Sequence, residues 1–125
     1  MPAALGVSLG RDSSPTLCVV GDGSAMYSPQ ALWTAANEKL PVVFLVVNNS
    51  QYLILKWGLQ GMGGTAARTG RYVGMDIESP AIDYVKLAEA QGVRASRVER
   101  AAEVGDAVRA AFDGGEPALI EVPIS

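Results

Sequence analysis

The sequence predicts an α/β fold with a mostly parallel sheet and helices on both of its faces. Short apolar segments of strand length alternate with segments of helical periodicity along the 125 residues. The most apolar segment, residues 42–47, shows no polar alternation, which is typical of a strand covered on both faces in a parallel sheet. A chain of this length forms one domain around a single core.

Two strand–helix units are predicted in the first half of the chain. Residues 16–20 form an apolar segment that ends in Gly-Asp-Gly, as expected for a buried strand followed by a turn. Ser28 is a favourable N-cap with Pro29 at the first helical position, so a helix is expected to begin there. The apolar stripe of this helix consists of Ala31, Leu32, Ala35 and Ala36. Residues 42–47 then form the second strand, which ends at the polar residues 48–50.

A glycine-rich segment opens the second half. Residues 52–57 have the composition of a short helix, whereas residues 58–74 contain six glycines without a countable period and are expected to form a loop. Ser79-Pro80 repeats the N-cap and proline signal, and Gly92 is placed to end the helix that follows. The stripe of that helix consists of Ile82, Val85, Leu87 and Ala88.

The remaining residues predict a strand, a helix and a final strand. Residues 93–98 alternate between apolar and polar, which indicates a strand near a sheet edge. The helix that follows has an apolar stripe with the i, i+3, i+4 spacing and ends at two glycines. Its stripe consists of Val104, Ala107, Val108, Ala111 and Phe112. Residues 118–122 form the last strand.

The composition excludes several classes of function. The chain has no histidine, which removes Ser-His-Asp and Cys-His catalysis and histidine-ligated zinc, so any metal must be held by oxygen. The single cysteine, Cys18, lies in an apolar segment and is interpreted as a buried hydrophobe. A net charge of −3 without a basic stripe argues against nucleic-acid binding. No apolar segment reaches the length of a membrane span and no signal peptide is evident, so a soluble cytoplasmic protein is expected.

Polar residues follow the first two predicted strands. Asp22 comes after the first strand and Asn49 after the second, 27 residues later, and the interval holds one helix and one strand. A right-handed crossover of this length returns the chain beside its starting point, so both side chains are expected to converge at the carboxyl edge of the sheet. One carboxylate and one amide oxygen form a weakly charged site suited to Mg²⁺, completed by waters and substrate phosphates.

The backbone around Asp22 is also suited to binding an anion. Gly21 and Gly23 let the backbone approach a ligand, and the N–H groups of Gly23, Ser24 and the next residue precede a helix. An ordinary interpretation of each motif stays open. Gly-Asp-Gly can be a turn in which Asp22 bonds the backbone, and residues 48–50 can be a polar turn with an N-cap.

Gly21-Asp22-Gly23-Ser24, followed by Asn48-Asn49 at this spacing, resembles the diphosphate-binding motif of thiamine-diphosphate-dependent enzymes. Residues 2–7, 31–36 and 82–93 extend the resemblance to the C-terminal cofactor domain of benzoylformate decarboxylase and its relatives. The resemblance implies that residues 1–125 form a thiamine-diphosphate-binding domain that is incomplete at its N-terminus. It also implies a part in 2-keto-acid decarboxylation, with thiamine diphosphate and Mg²⁺ as cofactors.

The resemblance also implies roles for individual residues. In the family, counterparts of Asp22, Asn49 and the main chain of Gln51 bind Mg²⁺, which bridges the cofactor diphosphate. The positions that match residues near the phosphates are Gly23, Ser24 and Tyr52. Ile54 and Gly58 match positions that face the substrate, with a place in the core as the alternative for Ile54.

Parts of such an enzyme have no counterpart in this chain. They are the N-terminal domain whose glutamate activates the cofactor, the first part of the cofactor domain, and the histidines that transfer protons in the decarboxylases. The chain alone is therefore expected to be inactive and to act on a 2-keto acid only with the missing domains. A free sheet edge or exposed apolar surface is expected to make it a homo-oligomer.

Three alternatives stay open. A carboligase of the acetolactate synthase type shares the Gly-Asp-Gly and Asn-Asn motifs with the decarboxylases. A non-catalytic phosphate- or nucleotide-binding α/β module could use the same turns. The third alternative is a truncated gene product with no function of its own.

Overall fold

The computed structural model describes residues 1–124 and confirms the parallel α/β class. The strands are β1 (Thr16–Gly21), β2 (Val42–Asn48), β3 (Arg94–Arg97) and β4 (Ala118–Pro123). The helices are α1 (Pro2–Leu9), α2 (Asp22–Ala25), α3 (Ala31–Asn37), α4 (Leu53–Gly61), α5 (Thr65–Thr69), α6 (Tyr84–Glu89) and α7 (Ala101–Asp113). All four strands pair in parallel, in the spatial order β1-β2-β4-β3.

The main core lies on one face of the sheet. Alternate residues of the strands, such as Phe44 and Leu119, pack against α1, α2, α3 and α6 on this face. Leu32 and Leu40 flank β2, and each exposes 1% of its surface. Burial of these apolar side chains is the main favourable contribution to folding.

α7 covers the opposite face of the sheet. Val43 and Ile120 are buried but do not belong to the main core, because successive side chains of a strand point to opposite faces. α7 packs against β2 and β4 on that side. The predicted stripe of α7 is only half-buried, from Val104 to Phe112. The sheet therefore carries helices on both faces, as predicted.

Two predicted helix starts are wrong. α3 begins at Ala31, because Ser28 and Pro29 form a preceding turn of i to i+3 hydrogen bonds and the Ser28 side chain does not cap the helix. α6 begins well after Ser79-Pro80, because the side chain of Asp83 accepts a hydrogen bond from the backbone N–H of Lys86 at 3.0 Å and caps the helix. This hydrogen bond and the Lys86 ammonium lower the pKa of Asp83.

The predicted loop at residues 58–74 is also partly wrong. α4 continues to Gly61, because glycine in a helix costs only about 1 kcal/mol relative to alanine, and α5 forms over five residues without glycine. Gly63 lies between the two helices with a φ angle of 66°, whereas Gly70 and Gly74, with φ angles of 66° and 75°, follow α5. At the other end of the chain, α1 was not predicted, although its Pro2 stands at a first-turn position.

Two further predictions concern the burial of Cys18 and membrane-spanning segments. Cys18 is half-buried and packs against the main core. Within residues 1–124, no helix combines the length and the apolar character that crossing a membrane requires.

The two edges of the sheet differ in their protection. β3 is four residues long and carries Arg94 and Arg97, which is typical of an edge that discourages further pairing. β1 is six residues long and uncharged, and it exposes Leu17 and Val19 by 43% and 61%. An uncharged edge with exposed apolar side chains is a template for another strand.

We expect a second copy of the chain to pair with the free edge of β1. Val19→Lys should shift the association equilibrium toward monomer, because it places a charge beside the edge, and sedimentation velocity at several concentrations measures this. Val73→Lys is the matched control, since Val73 is 88% exposed and lies outside the sheet. A wild-type chain that stays monomeric at all concentrations would contradict the expectation.

Candidate functional site

The carboxyl ends of β1 and β2 lie at the same edge of the sheet. Gly21, the last residue of β1, is in register with Val47 of β2, so the turns that follow the two strands are neighbours. They form a cleft of about 270 Å³. The cleft is lined by Gly21, Asp22, Gly23, Ser24, Val47, Asn49, Gln51, Tyr52, Leu53 and Ile54. The structure thus brings together the predicted phosphate and metal residues, whereas Gly58 lies outside this cleft.

The carboxylate of Asp22 is buried at this edge of the sheet. Asp22 exposes 3% of its surface, and its Oδ2 atom has no hydrogen-bond partner within residues 1–124. Burying an unpaired carboxylate oxygen is costly, and coordination of a cation would compensate for that cost. The atom therefore fits the role of a metal ligand.

The turn after β2 is shaped by two side-chain hydrogen bonds. The Oδ1 atom of Asn48 accepts from the N–H of Ser50 at 2.9 Å, and Oδ1 of Asn49 accepts from the N–H of Gln51 at 3.2 Å. Ser50 has a φ angle of 55°, in the left-handed region. The carbonyl oxygen of Gln51 receives no hydrogen bond from residues 1–124, which leaves it available to a ligand.

A short segment, residues 75–77, pairs with this turn and is called the strap. The N–H of Tyr52 donates to the carbonyl of Met75 at 2.9 Å, and the N–H of Ile77 donates to that of Ser50 at 2.7 Å. The two bonds flank the antiparallel bridge between Gln51 and Asp76. The strap therefore fixes the backbone on which the Gln51 carbonyl sits.

Lys56 connects the strap to the side chain of Gln51. Its ammonium donates to Oε1 of Gln51 at 2.7 Å and to the carboxylate of Asp76. The Gln51 side chain is thus occupied by Lys56, which is consistent with a ligand role for the main chain of Gln51. Neither Lys56 nor Asp76 was identified from the sequence, because their pairing with Gln51 depends on the tertiary path of the strap.

Tyr84 is a third residue that the sequence analysis missed, after Lys56 and Asp76. It is 1% exposed, and its hydroxyl donates to the backbone carbonyl of Asp22 at 3.0 Å. Burial, followed by the nearby Asp22 carboxylate, raises the pKa of Tyr84, so the hydroxyl remains a donor. The signal available in the sequence was an aromatic residue directly after the Asp83 cap.

The Tyr52 ring lies against Gly23. A Cβ atom added at Gly23 would come within 2.6 Å of two carbons of this ring. At Gly21 an added Cβ would meet nothing within 4 Å. The close contact between the backbone and the Tyr52 ring therefore requires glycine at residue 23, whereas a side chain at residue 21 would meet open space.

Ile54 and Gly58 both lie on α4, but of the two only Ile54 lines the cleft. Ile54 lines the cleft and is 71% exposed, so it is not a core residue of this chain. Gly58 is exposed and faces open space. Within residues 1–124 there is no group of three or more His, Cys, Asp or Glu side chains that could hold a metal, so Asp22 would act with neutral oxygen ligands.

Known proteins share this sequence and arrangement. Residues 1–122 match the sequence profile of the thiamine pyrophosphate enzymes, C-terminal TPP binding domain. The chain therefore belongs to the thiamine pyrophosphate enzyme family and represents its C-terminal cofactor-binding domain. The resemblance found in the sequence is thereby confirmed.

The names of two related proteins and of one solved structure state different activities. A Mycobacterium tuberculosis protein, assigned by name to the acetolactate synthase large subunits, is 41% identical over 99% of this chain and 24% of its own length. Benzoylformate decarboxylase of Pseudomonas aeruginosa is 33% identical over 98% of this chain and 22% of its own. The thiamine diphosphate-dependent 4-hydroxybenzoylformate decarboxylase of Rhodococcus jostii RHA1 superimposes with a TM-score of 0.86 at 38% identity, covering 100% of this chain and 22% of its own. The chain thus spans less than a quarter of the length of these relatives.

Gly23→Ala should destabilise the fold because the new methyl group would collide with the Tyr52 ring. We expect a loss of about 1–3 kcal/mol, the usual cost of overpacking, in urea denaturation. Gly21→Ala is the matched control and should leave stability nearly unchanged. Adding Tyr52→Ala should remove most of the penalty of Gly23→Ala. Equal stability of the two single variants would refute the close approach.

Proposed function

We propose that this chain binds the diphosphate of thiamine diphosphate through Mg²⁺, as part of a 2-keto-acid decarboxylase of the benzoylformate type. The observation that carries the proposal is the buried Oδ2 atom of Asp22, which has no hydrogen-bond partner among residues 1–124, in a cleft that Asp22 lines together with Asn49 and Gln51. Membership of the thiamine pyrophosphate enzyme family identifies the cofactor class that such a cleft would hold.

The proposed Mg²⁺ ligands are the carboxylate of Asp22, Oδ1 of Asn49 and the carbonyl of Gln51. All three are oxygen atoms, which Mg²⁺ prefers, and they supply a single negative charge. Asn49 Oδ1 already accepts the N–H of Gln51, but an amide oxygen has a second lone pair for the metal. Waters and diphosphate oxygens would complete the octahedron.

The proposed phosphate contacts come from the first turn of α2. The N–H groups of Gly23 and Ser24 lie in the first turn of the helix, where the backbone has no intrahelical partner. Ser24 is exposed to the cleft, and the Tyr52 ring closes one side of it. An anion at this position gains hydrogen bonds from these N–H groups.

Bound thiamine diphosphate would supply the electron sink for loss of CO₂ from a 2-keto acid. The residues of this chain break no bond of the substrate in this proposal. Asp22, Asn49 and Gln51 anchor one end of the cofactor, and Ile54 offers an apolar surface beside it. Correct orientation of the reacting ring is their contribution to the rate.

A carboligase of the acetolactate synthase type is the second candidate. It is supported by the 41% identity with the Mycobacterium tuberculosis relative. In a carboligase a second keto acid takes the place of the proton as acceptor. Product analysis of a full-length protein that contains this chain separates the two candidates, because a decarboxylase releases an aldehyde and a carboligase releases a larger hydroxy keto acid.

Asp22→Asn should weaken Mg²⁺-dependent binding of thiamine diphosphate by at least about tenfold, because loss of even an outer partner of a metal ligand typically costs about 10–100-fold and this change removes the charged ligand itself. Asn49→Ala should have a smaller effect, because it removes a neutral ligand. Titration calorimetry with thiamine diphosphate, and with ATP in its place, each with and without Mg²⁺, measures this and tests the nucleotide-binding alternative. Asp113→Asn, at the exposed end of α7, is the control.

Without metal, Asp22→Asn should be at least as stable as wild type in urea denaturation, because it removes a buried unpaired charge. If the site lowers the stability of the metal-free protein, the same substitution should weaken cofactor binding and yet leave the free energy of unfolding unchanged or higher. Unchanged cofactor affinity in Asp22→Asn would refute the ligand assignment.

The chain alone should not decarboxylate benzoylformate or pyruvate, even with saturating thiamine diphosphate and Mg²⁺. Anchoring supplies orientation, whereas activation of the cofactor needs an acid–base group, and among residues 1–124 Asp22 is the single carboxylate that lines the cleft. An assay of CO₂ release by the purified chain against a cofactor-only blank measures this. Turnover above the blank that survives repurification would contradict the expectation.

A further inference from the structure

We propose that Glu121 is a positioning residue that holds the turn after β2 in the shape required by the cation site. The inference rests on the proposed function and concerns a buried carboxylate that the binding site itself does not use. Glu121 lies near the carboxyl end of β4, is 2% exposed, and does not line the cleft.

Glu121 reaches the turn through the side chain of Asn48. The Nδ2 group of Asn48 donates to Oε1 of Glu121 at 2.7 Å. On its other side, Oδ1 of Asn48 accepts from the N–H of Ser50 at 2.9 Å. These two bonds are called the Glu121–Asn48–Ser50 network. The network joins β4 to the residue between the two proposed ligands Asn49 and Gln51.

The chemistry of a carboxylate explains why this residue matters. An ionised carboxylate only accepts hydrogen bonds, so it holds the amide of Asn48 with Nδ2 toward Glu121 and Oδ1 toward Ser50. If the amide were reversed, its Nδ2 group would face the N–H of Ser50, donor against donor, and the turn would open. Glu121 therefore selects the one orientation of Asn48 that closes the turn.

The sheet itself does not need this side chain. β2 and β4 are already held by their parallel ladder, in which Val46 is in register with Glu121, and by the bond from the N–H of Ile124 to the carbonyl of Asn48 at 2.8 Å. A buried carboxylate is costly compared with an apolar residue at the same place. Its specific effect is on the Asn48 side chain, and through it on Ser50.

The conformation of Ser50 transmits the effect to the ligands. Ser50 adopts a left-handed φ of 55°, which is unfavourable for serine unless neighbouring bonds hold it. Asn49 precedes it and Gln51 follows it, so relaxation of Ser50 would redirect both the Asn49 side chain and the Gln51 carbonyl. The network acts together with the strap, whose Ile77 N–H donates to the Ser50 carbonyl, to set the directions of two of the three proposed Mg²⁺ ligands.

Exchanging the amide of Asn48 with the carboxylate of Glu121 tests the proposal. In Asn48→Asp two carboxylates face each other, whereas in the double variant Asn48→Asp/Glu121→Gln the new amide at position 121 donates to the new carboxylate at position 48. Both variants keep an acceptor oxygen at position 48, but in Asn48→Asp repulsion by Glu121 turns the new carboxylate away from the N–H of Ser50. The double variant keeps the charge of the pair and removes this repulsion. Glu121→Gln alone keeps an acceptor for Asn48 but removes the charge.

Two readouts are measured on each variant of the full chain. Hydrogen exchange of the Ser50 amide, without metal, reports the turn, and electron paramagnetic resonance of Mn²⁺ with thiamine diphosphate reports the cation site. We expect Asn48→Asp to accelerate Ser50 exchange by about fivefold to tenfold, the worth of one hydrogen bond. Its Mn²⁺ affinity should fall by about tenfold. The double variant should restore both. Glu121→Gln should change both readouts in the same direction as Asn48→Asp but by less, because the new amide can accept from Asn48 or donate to it and so no longer enforces one orientation.

Three outcomes would overturn the proposal. Unchanged Ser50 exchange in Asn48→Asp would do so, as would a double variant no better than Asn48→Asp. Loss of Mn²⁺ affinity in Glu121→Gln with normal Ser50 exchange would show that Glu121 acts through its charge. If Asn48→Asp does not fold, Glu121→Met replaces it, because it removes the acceptor without adding a charge. Failure of the wild type to bind Mn²⁺ with thiamine diphosphate would refute the proposed function, while Ser50 exchange would still decide the network.

Discussion

The parallel pairing of β1 with β2 is the constraint on which the candidate site depends. With Gly21 in register with Val47, the turns after both strands must share one edge of the sheet. The crossover through α3 buries Leu32 and Leu40 and so holds this register by core packing. A shift by one residue would turn Phe44 out of the core, so the geometry of the cleft and the stability of the core depend on the same pairing.

The cleft is assembled from groups that are unfavourable in the free protein. Asp22 is buried with one carboxylate oxygen that has no partner in the described part of the chain, and Ser50 has a left-handed backbone. Neighbouring residues hold them in place, with Tyr84 bonded to the carbonyl of Asp22 and the strap bonded to the turn after β2. Such a pattern is typical of binding sites, in which the fold accepts a local cost and a ligand later compensates for it.

The sequence predicted the sheet and the two turns that carry Asp22 and Asn49, because these depend on local patterns. The continuous apolar segment of β2 and the 27-residue interval between Asp22 and Asn49 are visible without a structure. Helix starts were less predictable, since a Ser-Pro pair and an aspartate cap compete over a few residues, and at α6 Asp83 forms the actual cap. The supporting residues Lys56 and Glu121 could not be predicted, because their partners are fixed only by tertiary contacts.

The proposed site is compatible with relatives of different named activities, which resemble this chain over nearly its whole length. Asp22, Asn49 and Gln51 would contact the metal and the diphosphate, which a decarboxylase and a carboligase of this family have in common. Residues that bind a shared part of a cofactor cannot distinguish the acceptor that reacts at its other end. Of the residues discussed, Ile54 differs, because it stands exposed on the open side of the cleft, toward the space that a substrate would enter. If the chain has the proposed function, selectivity between the two reactions would therefore arise at α4 or outside this chain, while the sheet edge would supply the common anchor.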